Sequence, residues 1–361
     1  MDNSFNPFDI NSISEDYLNE CRCIWAKTTS NNVPPIFTLK NLAILSGIEY
    51  KILLPYVKRE FKPYRRQIIK STNNKLRELS IPHKNLALVQ NWIKINILEN
   101  LPISKFATAY EKKSSILINA QRHNNSNWLI KLDVKDFFNS IHENKIYKIF
   151  LGLGYTELLS LELAKLCTIS EKIKKNETTY PYFKSNGVLP QGACTSPKLA
   201  NLYVLDLDNE INSYLEENFK DKNIVFTRYS DDISISGDFS GYEECKKVIT
   251  EIRKKIKVYN LKLNNKKTRI LSPLSVKKIT GINIDNKKLK PSKKVINYIK
   301  TSLFYINKYS IESHLEKIGL SASYDAESYK EHLLGKIHFV NYINDEIGKE
   351  LLSIYNNLFN K

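Results

Sequence analysis

Ile224-Val-Phe-Thr-Arg-Tyr-Ser-Asp-Asp-Ile-Ser-Ile-Ser236 reads as two short strands, Ile224 to Tyr229 and Ile233 to Ser236, separated by Ser230-Asp231-Asp232. Two adjacent acids are poor chemistry for a hairpin tip, where Asn-Gly or Asp-Gly is preferred. They also repel each other unless cations lie nearby. A hairpin that breaks a local rule at its tip marks a candidate functional site. An isolated acidic pair on a solvated turn is the bland alternative, so the reading depends on what else in the chain points the same way.

Working upstream, Trp128-Leu-Ile-Lys-Leu-Asp-Val134 has the alternation of a strand. The period of two puts Trp128, Ile130, Leu132 and Val134 on one face and Lys131 and Asp133 on the other. Asp133 ends an apolar strand and is followed by Phe137 and Phe138, so the chain enters a core there and the carboxylate needs a partner. Three carboxylates gathered on neighbouring strands suit Mg2+, which takes hard oxygen ligands and leaves positions for water and phosphates. Two such ions about 4 Å apart would activate a 3′ or 2′ hydroxyl and stabilise a departing pyrophosphate. Asp136 is expected to lie on the turn into the next helix, as a structural or capping acid.

Around these elements the pattern is mixed. Residues 1 to about 60 are expected to be mostly helical. Gln67 to Lys70 and Leu76 to Ile81 flank the polar Ser71-Thr-Asn-Asn, which predicts a hairpin between Arg65 and Pro82. Leu86, Val89, Ile93 and Ile97 have helical spacing. Ser140 with Glu143 has the form of a capping box. Ser196-Pro197 is expected to be an N-cap followed by proline at the first helical position, opening a helix to about Glu217. Helix is expected from Ser240 to Asn260, then short strands to about Ile284, then helices to the end.

The formal charge of +17 arises from 55 basic and 38 acidic side chains. It is concentrated: residues 246 to 300 hold 18 Lys or Arg against Glu251 and Asp285, and nine basic residues lie between Lys58 and Lys84. Charge focused in this way suits a polyanionic partner, because each neutralised phosphate releases counterions. The five cysteines form no tandem CxxC pair and no zinc spacing. No apolar run reaches the length of a membrane span and the N-terminus lacks a signal core. The expectation is a soluble cytoplasmic protein with reduced thiols and no membrane partner.

Leu132-Asp-Val-Lys-Asp-Phe-Phe138, Leu189-Pro-Gln-Gly192 followed by Ser196-Pro-Lys-Leu-Ala-Asn201, and Tyr229-Ser-Asp-Asp232 stand in the order and spacing of reverse transcriptase palm motifs. Leu263-Asn-Asn-Lys-Lys-Thr-Arg-Ile270 resembles the motif after the catalytic hairpin, and Arg65 to Gln90 resembles the fingers motif. Asn119-Ala-Gln-Arg-His123 is similar to the NAxxH pattern of retron reverse transcriptases, and Ile279-Thr280-Gly281 to their VTG, with isoleucine in place of valine. The resemblance covers roughly residues 60 to 345.

The resemblance implies an α+β right-hand polymerase with an antiparallel palm sheet and a helical N-terminal extension over 1–60. Fingers are expected over 60–130, palm with a fingers insertion over 130–275, and thumb over 276–361. It implies catalysis by Asp133, Asp231 and Asp232, with two Mg2+ held by Asp133, Val134, Asp231 and Asp232. Lys267, or alternatively Lys266, would protonate pyrophosphate. Lys75, Arg77, Phe138, Gln191 and Gly192 would contact the dNTP: Lys75 and Arg77 as cations on the triphosphate, Phe138 as the ring that excludes a 2′ hydroxyl, Gly192 by permitting close backbone approach. Asn119, Ala120, His123, Ile279, Thr280 and Gly281 would belong to RNA recognition, with much of the contact on the Lys246 to Lys300 stretch.

A retron assignment further implies a cognate structured non-coding RNA, priming from an RNA 2′ hydroxyl, a branched RNA–DNA product (msDNA), and anti-phage defence with a separate effector protein. The chain length is expected to leave no room for a ribonuclease H, integrase or endonuclease domain. Within the class, a non-retron defence enzyme or a group II intron-like reverse transcriptase competes with this reading. Outside it stands an inactive nucleic-acid-binding scaffold, which has no reason to tolerate clustered carboxylates.

Overall fold

The computed structural model describes residues 14–60, 62–70, 76–125, 127–170, 187–285 and 288–359. The chain divides into two compact units, each assembled from separated stretches of sequence. The first comprises Met1–Tyr110, Val134–Ser213 and Glu251–Asn264, and the second Glu111–Asp133, Tyr214–Thr250 and Asn265–Lys361.

The first unit opens with three helices, α1 (Glu15–Ser30), α2 (Leu39–Ser46) and α3 (Tyr50–Lys58). Thr38 caps α2 by accepting from the Asn41 amide at 3.2 Å, and Gly47 ends it at φ 69°, a left-handed position that glycine adopts without penalty. An antiparallel hairpin follows, β1 (Tyr64–Lys70) with β2 (Leu76–Pro82), registered from Tyr64 opposite Pro82 to Lys70 opposite Leu76. The expected polar turn, Ser71 to Lys75, lies outside the described residues. Helix α4 (Lys84–Asn96) buries Leu86, Val89 and Ile93, as its spacing predicts. Helices α6 (Glu143–Gly152), α7 (Glu157–Cys167) and α8 (Ser196–Tyr203) complete the core, α7 packing on α3, α4 and α6.

A buried ion pair lies inside this unit. Arg59 Nη2 donates to Glu143 Oε2, which also accepts from Thr168 Oγ1 at 2.5 Å. That corrects one expectation: Ser140 and Glu143 form no capping box. His142 is the N-cap of α6 without a side-chain bond, Ser140 donates to the Lys135 carbonyl, and Glu143 is fully buried against Arg59. The Ser196 prediction is off by one residue, since α8 begins at Ser196 with Thr195 at the cap and Pro197 second in the helix. Nor does one straight helix run to Glu217. It breaks at Val204, whose amide still bonds Ala200 and whose carbonyl still receives Asp208, before α9 (Leu205–Asn218) resumes. The ladder is bent there rather than lost.

The second unit is built on a four-stranded sheet in the order β4 (Val225–Tyr229), β5 (Asp232–Gly237), β3 (Trp128–Asp133), β6 (Arg269–Leu271), with every pairing antiparallel. Both faces of β3 are covered, unlike a strand with one wet face: Leu129 is as buried as Ile130 and Leu132. Helix α5 (Ile116–Arg122) lies against β4 and against a small second sheet, β7 (Lys277–Ile279), β8 (Ile282–Asp285) and β9 (Lys288–Lys290). Ala120, Leu129, Ile279, Ile282 and Ile284 form their shared core. Helix α10 (Tyr242–Val258) follows β5. Four C-terminal helices, α11 (Lys293–Lys308), α12 (Ile311–Lys317), α13 (Ala326–Ile343) and α14 (Asp345–Phe359), close around Leu303, Leu333, Ile337 and Leu351. Asp325 and Ser328 form a reciprocal capping box at the start of α13. Gly348 lets α14 meet α13 closely, since a Cβ there would fall 2.2 Å from Asn341.

All five cysteines are free thiols. Among the described residues, no helix is long and apolar enough to cross a membrane.

Candidate active site

The carboxylates converge through strand register. On β3 and β5 Asp133 stands directly opposite Asp232, and on β4 and β5 Tyr229 stands opposite Asp232. Only Ser230 and Asp231 therefore form the hairpin turn. Ser230 has φ 59°, the left-handed region, whereas Asp231 has no positive φ. Positive φ at the first central position alone is the signature of a type II′ turn, which normally places glycine there. Serine tolerates it here under support from within the strand: the buried Arg228 donates Nη1 to the Ser230 carbonyl at 3.2 Å. Nothing in the sequence pattern singled Arg228 out, because an arginine beside an acidic turn looks like a solvated neighbour.

Like charges directly opposite across strands destabilise a sheet, and burial aggravates this. The carboxyls of Asp231 and Asp232 are both pushed above the ordinary carboxylate range, first by burial and then by their acidic neighbours. Lys267 answers part of the charge. Its ammonium donates to Asp133 Oδ2, which holds its own pKa above the usual lysine value. Of the two candidate lysines it is Lys267 that reaches this cluster. Among the described residues no group of three His, Cys, Asp or Glu side chains forms a ready-made metal cage. Oxygen donors with an ammonium seated on one of them are nonetheless a cation-seeking set, and an ion of the Mg2+ type takes few protein carboxylates and completes its shell with water and phosphates. The residues fit such an ion. Asp136 sits apart, exposed at φ 48° and 3.9 Å from Lys135, in line with a turn residue.

The expected nucleotide contacts fall in the first unit. Arg77 is exposed on β2, opposite Ile69, and Lys75 lies outside the described residues. Phe138 is half-buried in a 3₁₀ turn, its ring 5.6 Å from Phe137 and 6.4 Å from Tyr110. Gln191 and Gly192 meet the base of the hairpin: the Ser80 amide donates to the Gln191 carbonyl at 2.8 Å. Gly192 has φ 129°, and a Cβ there would fall 2.8 Å from the Ser80 carbonyl oxygen. The close approach that its glycine permits in this structure is to the protein's own backbone.

The residues expected at RNA are placed largely inside the second unit. His123, 1% exposed, bonds Ser236 Oγ through Nδ1 at 2.6 Å and Thr227 Oγ1 through Nε2 at 2.7 Å. Burial drives its pKa down to about 3, so the ring is neutral. Asn119, Ala120 and Ile279 are likewise buried; these four side chains are packed into protein and present no surface to a nucleic acid. Thr280 and Gly281 are accessible. They form the two-residue turn between β7 and β8 with φ 45° and 92°, and Thr280 Oγ1 donates to the Ile116 carbonyl at 3.1 Å. A β-branched residue in the left-handed region is strained, and such strain persists only when its surroundings enforce it.

The model of the family "Reverse transcriptase (RNA-dependent DNA polymerase)" matches residues 68–303. The chain is 31% identical to the retron Ec86 reverse transcriptase of Escherichia coli over 79% of this chain and 82% of that one. It is 24% identical to the retron Mx65 reverse transcriptase of Myxococcus xanthus, over 90% of this chain and 73% of its relative. With the retron Se72 reverse transcriptase of Salmonella heidelberg it shares 29% identity, over 66% and 59% of the two chains. With the family model covering more than half of the chain, and retron enzymes as its relatives, this protein belongs to the reverse transcriptases, RNA-directed DNA polymerases, and is of the retron type.

Proposed function

We propose that this polymerase copies a cognate structured non-coding RNA, starting from a 2′ hydroxyl of that RNA and leaving branched RNA–DNA, in an anti-phage system with a separate effector protein. The observation that carries the catalytic part is the register that sets Asp133 against Asp232 with Asp231 at the adjoining turn, and Lys267 on Asp133. In this reading Asp133, Asp231 and Asp232 would hold two Mg2+, joined by Val134, which has only its main-chain carbonyl to offer. The ions supply activation of the attacking hydroxyl and charge neutralisation at the leaving pyrophosphate. The protein's own part is to hold the carboxylates ionised and converged despite burial, and to keep a lysine proton within reach. Lys267, whose ammonium donates to Asp133, is the group we assign as proton donor to pyrophosphate.

The remaining roles follow the chemistry of each residue. Arg77 and Lys75 would meet triphosphate oxygens, Phe138 would exclude a ribose 2′ hydroxyl, and Gln191 with Gly192 would line the nucleotide. The four-stranded sheet corresponds to a palm, the β1–β2 hairpin to fingers and α11 to α14 to a thumb. Thr280 and Gly281, with exposed lysines of α10, β9 and α11, are the surfaces we assign to RNA, read mainly through phosphates and 2′ hydroxyls.

Expression of the protein with its flanking DNA, beside an Asp231→Ala, Asp232→Ala variant, tests the whole reading. A short abundant single-stranded DNA that shifts on RNase or debranching treatment, and vanishes in the variant, is expected. If none appears while the purified protein extends a primed RNA with dNTPs and Mg2+, the retron-specific steps fall and a non-retron or intron-like enzyme stands. Tight RNA binding without any extension would leave only a scaffold.

A further inference from the structure

The motif Asn119-Ala-Gln-Arg-His123 ends in a residue that touches both strands of the carboxylate hairpin. Thr227 pairs with Ser234, and Val225 with Ser236, so Thr227 and Ser236 are diagonal neighbours on one face. Diagonal side chains lie about 7–8 Å apart, a gap that one imidazole with a hydrogen bond at each nitrogen spans. By the period of two, the same face carries Asp232, with Asp133 opposite it. His123 therefore grips the hairpin on the face that bears the carboxylates, from beneath the tip. It is also the C-cap of α5, a helix of seven residues, and the carbonyl of Ile116 at the other end of that helix receives the Thr280 hydroxyl.

We propose that His123 is a positioning residue for the polymerase reaction: through Thr227 and Ser236 it fixes the two strands that present Asp231 and Asp232, and it is not an RNA-reading residue. The chemistry suits the task. A neutral imidazole offers one donor and one acceptor, and a hydroxyl on either side complements whichever nitrogen carries the proton. The ring is rigid, so both strands are held at one spacing, whereas a flexible side chain would let the diagonal drift. A neutral partner adds no charge beneath a cluster that must hold cations. An apolar contact would cover the strands without fixing their relative twist.

This inference rests on the polymerase reading above, and its test separates the two. Wild type, His123→Ala, His123→Gln and Thr227→Val would be compared on a homopolymer RNA with an annealed DNA primer, which needs no cognate RNA, and in filter binding to the structured RNA transcribed from the flanking DNA. Expected for His123→Ala is a kcat about 10- to 100-fold lower, the scale of a misplacement near 1 Å. Its half-saturating Mg2+ concentration should rise about tenfold, the scale seen when a partner that orients a metal ligand is removed. The dNTP KM and the affinity for the structured RNA should stay within about twofold, well under 1 kcal/mol. His123→Gln, which keeps a donor and an acceptor, should recover part of kcat. Thr227→Val, which keeps the ring and the packing, should lose kcat in the same sense, and it holds the test open if His123→Ala does not fold. Wild-type kcat and Mg2+ dependence in folded His123→Gln and Thr227→Val, with the loss confined to the structured RNA, would overturn the proposal. A wild type inactive on the primed homopolymer would remove the polymerase reading itself.

Discussion

The molecule contains two hairpins built by opposite rules. β1–β2 has seven-residue strands and leaves Ile68 66% and Leu76 68% exposed, a surface with little to hold it but its own ladder. At its base, Ser80 bonds the Gln191 carbonyl beside Gly192. β4–β5 has shorter strands, and Phe226, Thr227, Arg228, Ile233, Ser234, Ile235 and Ser236 are all buried. Its polar side chains there are not left to solvent but joined: Thr227 and Ser236 through His123, and Arg228 to the turn. β1–β2 is fixed at its base and exposed along its span. A hairpin that must hold repelling carboxylates within a fraction of an ångström has to be gripped along its length.

The sharpest way to break this comparison is at the tip of the gripped hairpin. Asp232→Asn should reduce primer extension by about 100-fold or more. In the presence of a chelator the same variant should be more stable than wild type, by about 0.2–1 kcal/mol, because a like charge opposite Asp133 is gone. Calorimetry with and without divalent cation reads this, and a destabilised Asp232→Asn would mean that the carboxylate carries structural weight. Next in size is the base of the free hairpin. Gly192→Ala puts a Cβ against the Ser80 carbonyl at a φ that suits glycine, a strain of about 1–3 kcal/mol. Activity should fall at least about tenfold if that strain displaces the loop, and near-normal kinetics would show the base to be adjustable. Smallest is the free span: Arg77→Ala should raise the dNTP KM by about tenfold while kcat changes little, as for loss of one charge-assisted contact. An effect on kcat alone would separate Arg77 from nucleotide binding.

The sequence displayed one hairpin better than the role of its supports. Alternation and turn signals locate β3, β4 and β5, and the adjacent acids Asp231 and Asp232 mark the candidate site as a poor hairpin tip, although Asp232 itself opens β5 and only Ser230 and Asp231 turn. Register, which brings Asp133 opposite Asp232, follows from pairing between strands about a hundred residues apart and has no local signature. The same holds for His123, whose partners Thr227 and Ser236 are ordinary strand residues in isolation. Its motif was visible as a family resemblance, but the resemblance suggested RNA, and only burial with two bonded nitrogens assigns the ring to the protein interior. Glu143 departs from its expected role for a related reason. Three residues after a serine it mimics a capping box, and its true partner, Arg59, lies far upstream. Local rules fail where a polar group is claimed by a distant one.

The small sheet of the second unit carries a further consequence. Its outer strands, β7 and β9, are three residues long, and Lys278, Lys288 and Lys290 point from them into solvent. Short strands studded with lysine resist pairing with another chain, because a second edge could approach only by burying those charges. Part of the basic excess between residues 246 and 300 thus guards against fibrous self-association, and replacing these lysines to probe nucleic-acid contact would also remove a safeguard against aggregation.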